Sequence, residues 1–188
     1  MPTRYREINI MGIYITQKET EHMENALRLR KEGAIRLQTP PFVEARQKEI
    51  DGLLSQNVFK IVDINNVPQG ERLFKSRFVD EIKRKDGVPY EKSRLVVQAH
   101  NDEGKTSVLT QSPTIQRASQ RVILCVAAIL TDRELYLRDI SQAYVQSTTN
   151  LNRQFYIKPP KEIDLGTGNI LRILRPLYGV PEAGTHWF

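Results

Sequence analysis

Cysteine is nearly absent from this chain. Cys125 is the only one in 188 residues, so no internal disulfide can form, and its place in an apolar, helix-periodic stretch predicts a buried thiol used for packing. The three histidines, His22, His100 and His186, are far apart, which leaves no zinc-ligand spacing. No long apolar run exists either: Val122 to Leu130 is the longest, whereas a membrane-crossing helix needs about 20 residues. The start, Met1-Pro-Thr-Arg-Tyr-Arg-Glu, has no apolar leader core. These absences predict an intracellular chain, cytoplasmic or nuclear, that is not secreted and has no membrane partner. A phosphate loop of Gly-x-x-x-x-Gly-Lys-Ser type is missing, and Gly166-Thr-Gly168 lacks the strand-to-helix setting of a dinucleotide site. Internal repeats, low-complexity tracts and nucleophile constellations built on Ser or Cys are missing too.

What is present describes a folding chain with a basic excess. Hydrophobic residues make up 39% of it, enough to bury a core, and the net charge of +6 favours a polyanionic partner. Residues 1–38 mix charges of both signs and predict a poorly packed arm, although Gln17 to Lys31 is rich in helix formers and reads as a solvated helix. Thr39-Pro40-Pro41 breaks that pattern, because proline excludes the helical conformation from the residue before it. The domain is therefore expected over residues 39–188.

Within it, Phe42 to Gln56 has the spacing of an amphipathic helix and Val58 to Val62 reads as a strand, followed by a turn at Asn65-Asn66. Two β-prone runs, Arg77 to Lys83 and Ser93 to Ala99, flank Asp86-Gly87 and predict a hairpin with a basic tip. Nine basic residues lie between Arg72 and Lys105. They can mark a polyanion-binding surface or simply solvate an exposed hairpin edge. Ser112-Pro113 suits a helix start, and Ile115, Ala118, Val122, Cys125, Val126 and Ile129 recur at three- and four-residue steps, predicting a core helix to about Leu130. Strands follow at Leu135 to Ile140, Phe155 to Ile157 and Ile170 to Leu174. The order of elements predicts an α+β fold, a mixed and mostly antiparallel sheet with packed helices.

Three blocks could carry chemistry. In Leu135-Tyr-Leu-Arg-Asp139-Ile140, alternation puts Leu135, Leu137 and Asp139 on one face, so a carboxylate ends a row of apolar side chains. Such a group loses hydration unless a cation or a turn amide compensates it, which leaves two readings: a metal ligand, or a cap on the turn that begins at Ile140. Upstream lies Tyr90-Glu-Lys92-Ser93-Arg94-Leu95-Val96. Downstream lies Pro176-Leu177-Tyr178-Gly179-Val180-Pro181-Glu182-Ala183-Gly184-Thr185-His186-Trp187, where Gly179 can let backbone approach closely because it has no side chain.

In this order the blocks resemble the first half of a copia-type (Pseudoviridae) LTR-retrotransposon reverse transcriptase, in a fungal-like form. Asp139-Ile140-Ser141-Gln142-Ala143-Tyr144 is similar to that family's first catalytic motif, and Gln111-Ser112-Pro113-Thr114 to the block that starts the preceding helix. The resemblance implies fingers and an incomplete palm. It implies that Asp139 is catalytic and binds Mg2+ together with the backbone carbonyl of Ile140, and that Tyr144 lies under the incoming sugar. Arg94 would grip the triphosphate, a task suited to a planar guanidinium that pairs two phosphate oxygens. Arg84 or Lys85 would supply a second triphosphate contact, and Tyr178 and Gly179 would face the nucleotide. The implied partners are an RNA or DNA primer–template and deoxynucleotide triphosphates, and the implied setting is a virus-like particle in the cytoplasm, or the nucleus. Oligomeric state is left open.

Two features depart from the family pattern. Ser76-Arg77-Phe78-Val79-Asp80 has an acid where the family has a base, and residues 1–38 match no motif. The family's remaining carboxylates belong to a Tyr-x-Asp-Asp hairpin, and the 188 residues contain no Asp-Asp pair. Two-metal phosphoryl transfer needs carboxylates that hold two ions about 4 Å apart. The expectation is a chain truncated before that hairpin, inactive as a polymerase when alone and poorly soluble through uncovered strands. The alternatives are a nucleic-acid-binding remnant without chemistry and a decayed open reading frame.

Overall fold

Asp86 and Gly87 both adopt positive φ, 51° and 82°, the pair of conformations a tight two-residue turn needs to match strand twist. That turn sets β3 (Ser76–Lys85) antiparallel to β4 (Val88–Val97), in register from Lys85 opposite Val88 to Ser76 opposite Val97. The computed structural model describes residues 16–108, 110, 115–130, 132–136, 140 and 142–187. Side chains alternate across the hairpin, so Ser93, Leu95 and Val97 are buried while Lys92, Arg94 and Val96 turn to the other, half-exposed face.

The buried hairpin face meets α2 (Val43–Ser55), whose Ile50 and Leu53 are almost fully enclosed. A second sheet has the strand order β1 (Phe59–Asp63), β6 (Asn169–Ile173), β5 (Phe155–Ile157) and β2 (Leu73–Phe74). Its pairs are antiparallel except β2 with β5. Leu53, Leu95, Val145, Phe155, Ile157 and Leu171 contribute to one core that joins α2, the hairpin and this sheet. The architecture is mixed α+β with mostly antiparallel pairing, as the sequence predicts. Among the described residues no helix is long and apolar enough to cross a membrane.

Part of the N-terminal expectation needs correction. The helix α1 lies at Gln17–Lys31, opened by Thr16 and Glu19 in reciprocal capping bonds, but it is not a solvated arm. Ala26 and Leu29 are buried, α1 runs along β3, and His22 Nδ1 accepts the Ile82 N–H at 3.2 Å. Arg30 grips Glu91 through Nε and Nη2, at 2.7 and 2.9 Å, and donates to backbone carbonyls of the Thr39-Pro40 bend. The scattered charges of this segment are thus partly interior contacts. A helix lying along β3 also covers what would otherwise be an open strand edge.

The helix α3 (Arg117–Ile129) also forms, close to the predicted span, but none of its residues is buried. Val122, Val126 and Ile129 are 61%, 47% and 76% exposed, and Cys125 is exposed, which corrects the expected core helix and buried thiol. Periodicity specifies a helix with an apolar stripe; it does not specify what covers the stripe. Leu135 and Tyr136 are likewise exposed and outside any strand, so the buried strand expected to begin at Leu135 does not begin there. Its continuation at 137–139, and Ser112-Pro113, lie outside the described residues.

Candidate functional site

Arg94 leaves β4 on the half-exposed hairpin face. Its Nη1 bonds Glu81 Oε1 at 3.0 Å, and its guanidinium carbon lies 5.8 Å from the centre of the Tyr178 ring, close enough for a favourable cation–π contact. The Tyr178 ring meets Tyr144 edge-on, with centroids 5.2 Å apart. A guanidinium and two aromatic rings from three separate blocks of sequence therefore share one location.

The Tyr178-Gly179 turn is fastened to β4. The Tyr178 carbonyl accepts the Val97 N–H at 2.8 Å, and Gly179 has φ 86°. A Cβ on Gly179 would sit 2.0 Å from the Val97 carbonyl oxygen. The close approach that requires glycine is thus to the hairpin backbone. Further along, the fully buried Glu182 accepts the Asn152 N–H at 3.0 Å and holds this segment against the loop before β5.

Tyr144 stands in a short 3-10 turn, Ala143–Gln146, preceded by Gln142 at φ 53°. The Gln142 amide lies on α2: its Nε2 donates to Glu49 Oε2 at 3.0 Å and its Oε1 accepts from Gln56 Nε2 at 2.7 Å. Glu49 Oε1 also accepts the Leu95 N–H, at 3.3 Å. One buried carboxylate therefore touches the strand that carries Arg94 and the turn that carries Tyr144.

At the hairpin tip Arg84 and Lys85 are both exposed. The register puts Lys85 on the Arg94 face and Arg84 on the opposite one. Val79, the cross-strand partner of Arg94, is five residues from Arg84, about 17 Å of strand, so the tip residues are not brought together with the Arg94 group. Arg77, Lys83, Lys85, Lys92 and Arg94 share one face with the single acid Glu81. Burial pushes the Glu81 carboxyl up, but the Lys83 hydrogen bond and the Arg94, Lys83 and Lys18 charges outweigh it and hold the group below the usual range.

Asp80, the acid that departs from the family pattern, faces the opposite way and is structural. It accepts Ser93 Oγ at 2.7 Å and Arg46 Nη2 at 2.6 Å, and Arg46 Nη1 continues to Glu162 at 2.7 Å. Asp139 lies outside the described residues. Ile140 is about half-exposed, in no regular element. Among the described residues no group of three or more His, Cys, Asp or Glu could hold a metal ion. A carboxylate and a backbone carbonyl, the two groups expected at Asp139 and Ile140, are the oxygen donors that magnesium takes.

The sequence pattern did not single out Glu49, Gln142 or Glu182. The first two had a faint signal: Glu49, Gly52 and Gln56 recur on one face of a helix, and Gln142 lies inside a motif block. For Glu182 we find no signal beyond its place in the last block.

Residues 56–188 match the family described as Reverse transcriptase (RNA-dependent DNA polymerase). No solved structure matches the chain.

Proposed function

The chain belongs to the reverse transcriptase family, and from that premise we propose that it forms the fingers and part of the palm of a copia-type retrotransposon enzyme. In the intact enzyme the primer 3′-hydroxyl attacks the α-phosphate of an incoming deoxynucleotide in line, forming the new phosphodiester bond as the bond to the β-phosphate breaks and pyrophosphate leaves. Arg94 pairs with triphosphate oxygens, replacing its bond to Glu81, and Tyr144 and Tyr178 hold the sugar and base. Gly179 keeps the Tyr178 turn close to β4, and Lys85 and Lys92, on the Arg94 face, meet template phosphate. Arg84 takes a lesser part. Asp139 and the Ile140 carbonyl would hold magnesium, which would supply charge neutralisation at the transferred phosphate. The observation that carries this reading is the chain of contacts in which Arg94 lies over the Tyr178 ring and Tyr178 meets Tyr144 edge-on.

These 188 residues hold no Asp-Asp pair, so they are expected to bind without catalysing, since charge positioning supplies most of the acceleration. Two assays on the purified chain test this. Fluorescence anisotropy with a primer–template duplex is expected to show binding that weakens steeply with salt, as counterion release requires. Primer extension with magnesium and deoxynucleotides is expected to give no product. Salt-insensitive or absent duplex binding contradicts the reading, and incorporation abolished by Asp139→Ala contradicts the predicted inactivity. The same absent pair favours a second reading, a nucleic-acid-binding remnant. In that case duplex binding persists without response to any deoxynucleotide.

A further inference from the structure

We propose that Glu49 and Gln142 are positioning residues for the nucleotide contacts, and that α2 is the element that sets the distance between Arg94 and Tyr144. This rests on the reading of Arg94, Tyr144 and Tyr178 as those contacts. Glu49 is 8% exposed, and a carboxylate so enclosed must find donors or lose its hydration uncompensated. It finds two in different elements: the Leu95 N–H, next to Arg94, and the Gln142 amide, two residues before Tyr144. The Gln142 amide has both ends engaged, nitrogen toward Glu49 and oxygen toward Gln56. Turning it over would set its NH2 against that of Gln56 and its oxygen against a carboxylate, so the network has one consistent orientation.

The helix is shaped for this contact. Gly52 lies between Glu49 and Gln56 on the same face, and a Cβ there would come within 3.2 Å of the Gln142 Nε2. The gap left by Gly52 lets the amide lie down on α2. Gln142 itself is held at positive φ, a conformation that costs free energy for a residue with a side chain and persists only when surroundings enforce it. A turn held this way fixes where Tyr144 emerges, and the same carboxylate fixes where β4 lies.

The test uses the full chain with isotope-labelled Arg, Tyr, Asp and Gly, observed by NMR with and without the magnesium complex of dTTP. In the wild type, a Tyr144–Tyr178 ring-to-ring NOE and a distinct Arg94 Nε–H signal are expected. Glu49→Ala and, separately, Gln142→Ala should abolish the NOE, move the Arg94 signal and weaken dTTP binding by tenfold or more, leaving the Asp86 and Gly87 amides unshifted. The exchange Glu49→Gln with Gln142→Glu keeps one donor and one acceptor across the contact and should restore the NOE and at least part of the affinity. Should Glu49→Ala fail to fold, Gln142→Ala and the exchanged pair decide the matter. Lower melting temperatures with the NOE and Arg94 signal unchanged, or no recovery in the exchanged pair, would overturn the proposal. If the wild type ignores dTTP, the nucleotide reading fails, while the NOE and the Arg94 signal still judge the positioning.

Discussion

The helices α2 and α3 are each 13 residues long and have opposite fates. The more apolar of the two, α3, buries nothing, while α2, with charged residues along much of its length, buries Glu49, Ile50 and Leu53. What separates them is the availability of a complementary surface. The hairpin offers α2 the buried residues Leu95 and Val97, an acid for Arg46 and an amide for Glu49. Nothing comparable reaches α3 among the described residues. An apolar stripe becomes stabilising only when another surface removes it from water.

The largest expected effect follows from that contrast. Leu53→Ala removes a fully buried side chain and should cost about 2–5 kcal/mol, whereas Val126→Ala on α3 should change stability by less than about 0.5 kcal/mol, both read from urea unfolding. Equal effects would mean that α3 is packed in solution. Next comes Gly179→Ala, on the packed side, where a positive φ and a carbonyl 2.0 Å from the new Cβ coincide. It should cost at least about 1–3 kcal/mol and loosen the Tyr178 turn. A neutral substitution would show that the turn is not sewn to β4.

A smaller effect is expected from acid. Burial pushes the Asp102 carboxyl up, but the Arg153 guanidinium bonded to it at 2.7 Å, its charge, the Gly104 N–H and the Arg72 charge prevail and hold it below its ordinary 3.8. A carboxyl depressed in the folded state adds stability that is present above its unfolded value and lost as pH falls through the folded one. The stability gap between the wild type and Asp102→Asn should hold from pH 7 to about pH 5 and close below about pH 4. A gap that widens on acidification contradicts the ion pair. Least perturbing of all, Cys125 should react fully with a thiol reagent in native buffer, because it is exposed. A requirement for denaturant would put α3 back into a core.

Much of the packed half was legible in the sequence. Once Asp86-Gly87 is recognised as a two-residue turn, the whole hairpin register follows from it, including Arg94 opposite Val79 and the assignment of Lys85 rather than Arg84 to its face. The spans at Gln17–Lys31 and Phe155–Ile157 were equally legible, because helix formers and a short β-prone run are local signals. Partners were not. Nothing local announces that Arg30 reaches Glu91 or that Gln142 lies on α2, since those contacts join residues 61, 86 and 93 positions apart. The same limit explains α3 and Leu135, whose patterns describe a buried element without naming what buries it. Of the candidate site, the residue types were legible and their grouping was not: Arg94, Tyr144 and Tyr178 meet, Arg84 does not join them, and Asp139 lies outside the described residues.

The central claim is that Arg94, lying over Tyr178, which in turn meets Tyr144, forms a nucleotide-binding surface. Titration of the magnesium complex of dTTP into the wild type, Arg94→Ala and Arg84→Ala, with the primer–template present, measures it directly. A charge-assisted bond to phosphate contributes about 1.5–3 kcal/mol, so Arg94→Ala should lose tenfold or more in affinity while Arg84→Ala stays within about twofold, as expected of a surface change away from the contact. Equal losses in the two variants, or a wild-type chain that does not bind dTTP, would contradict the account.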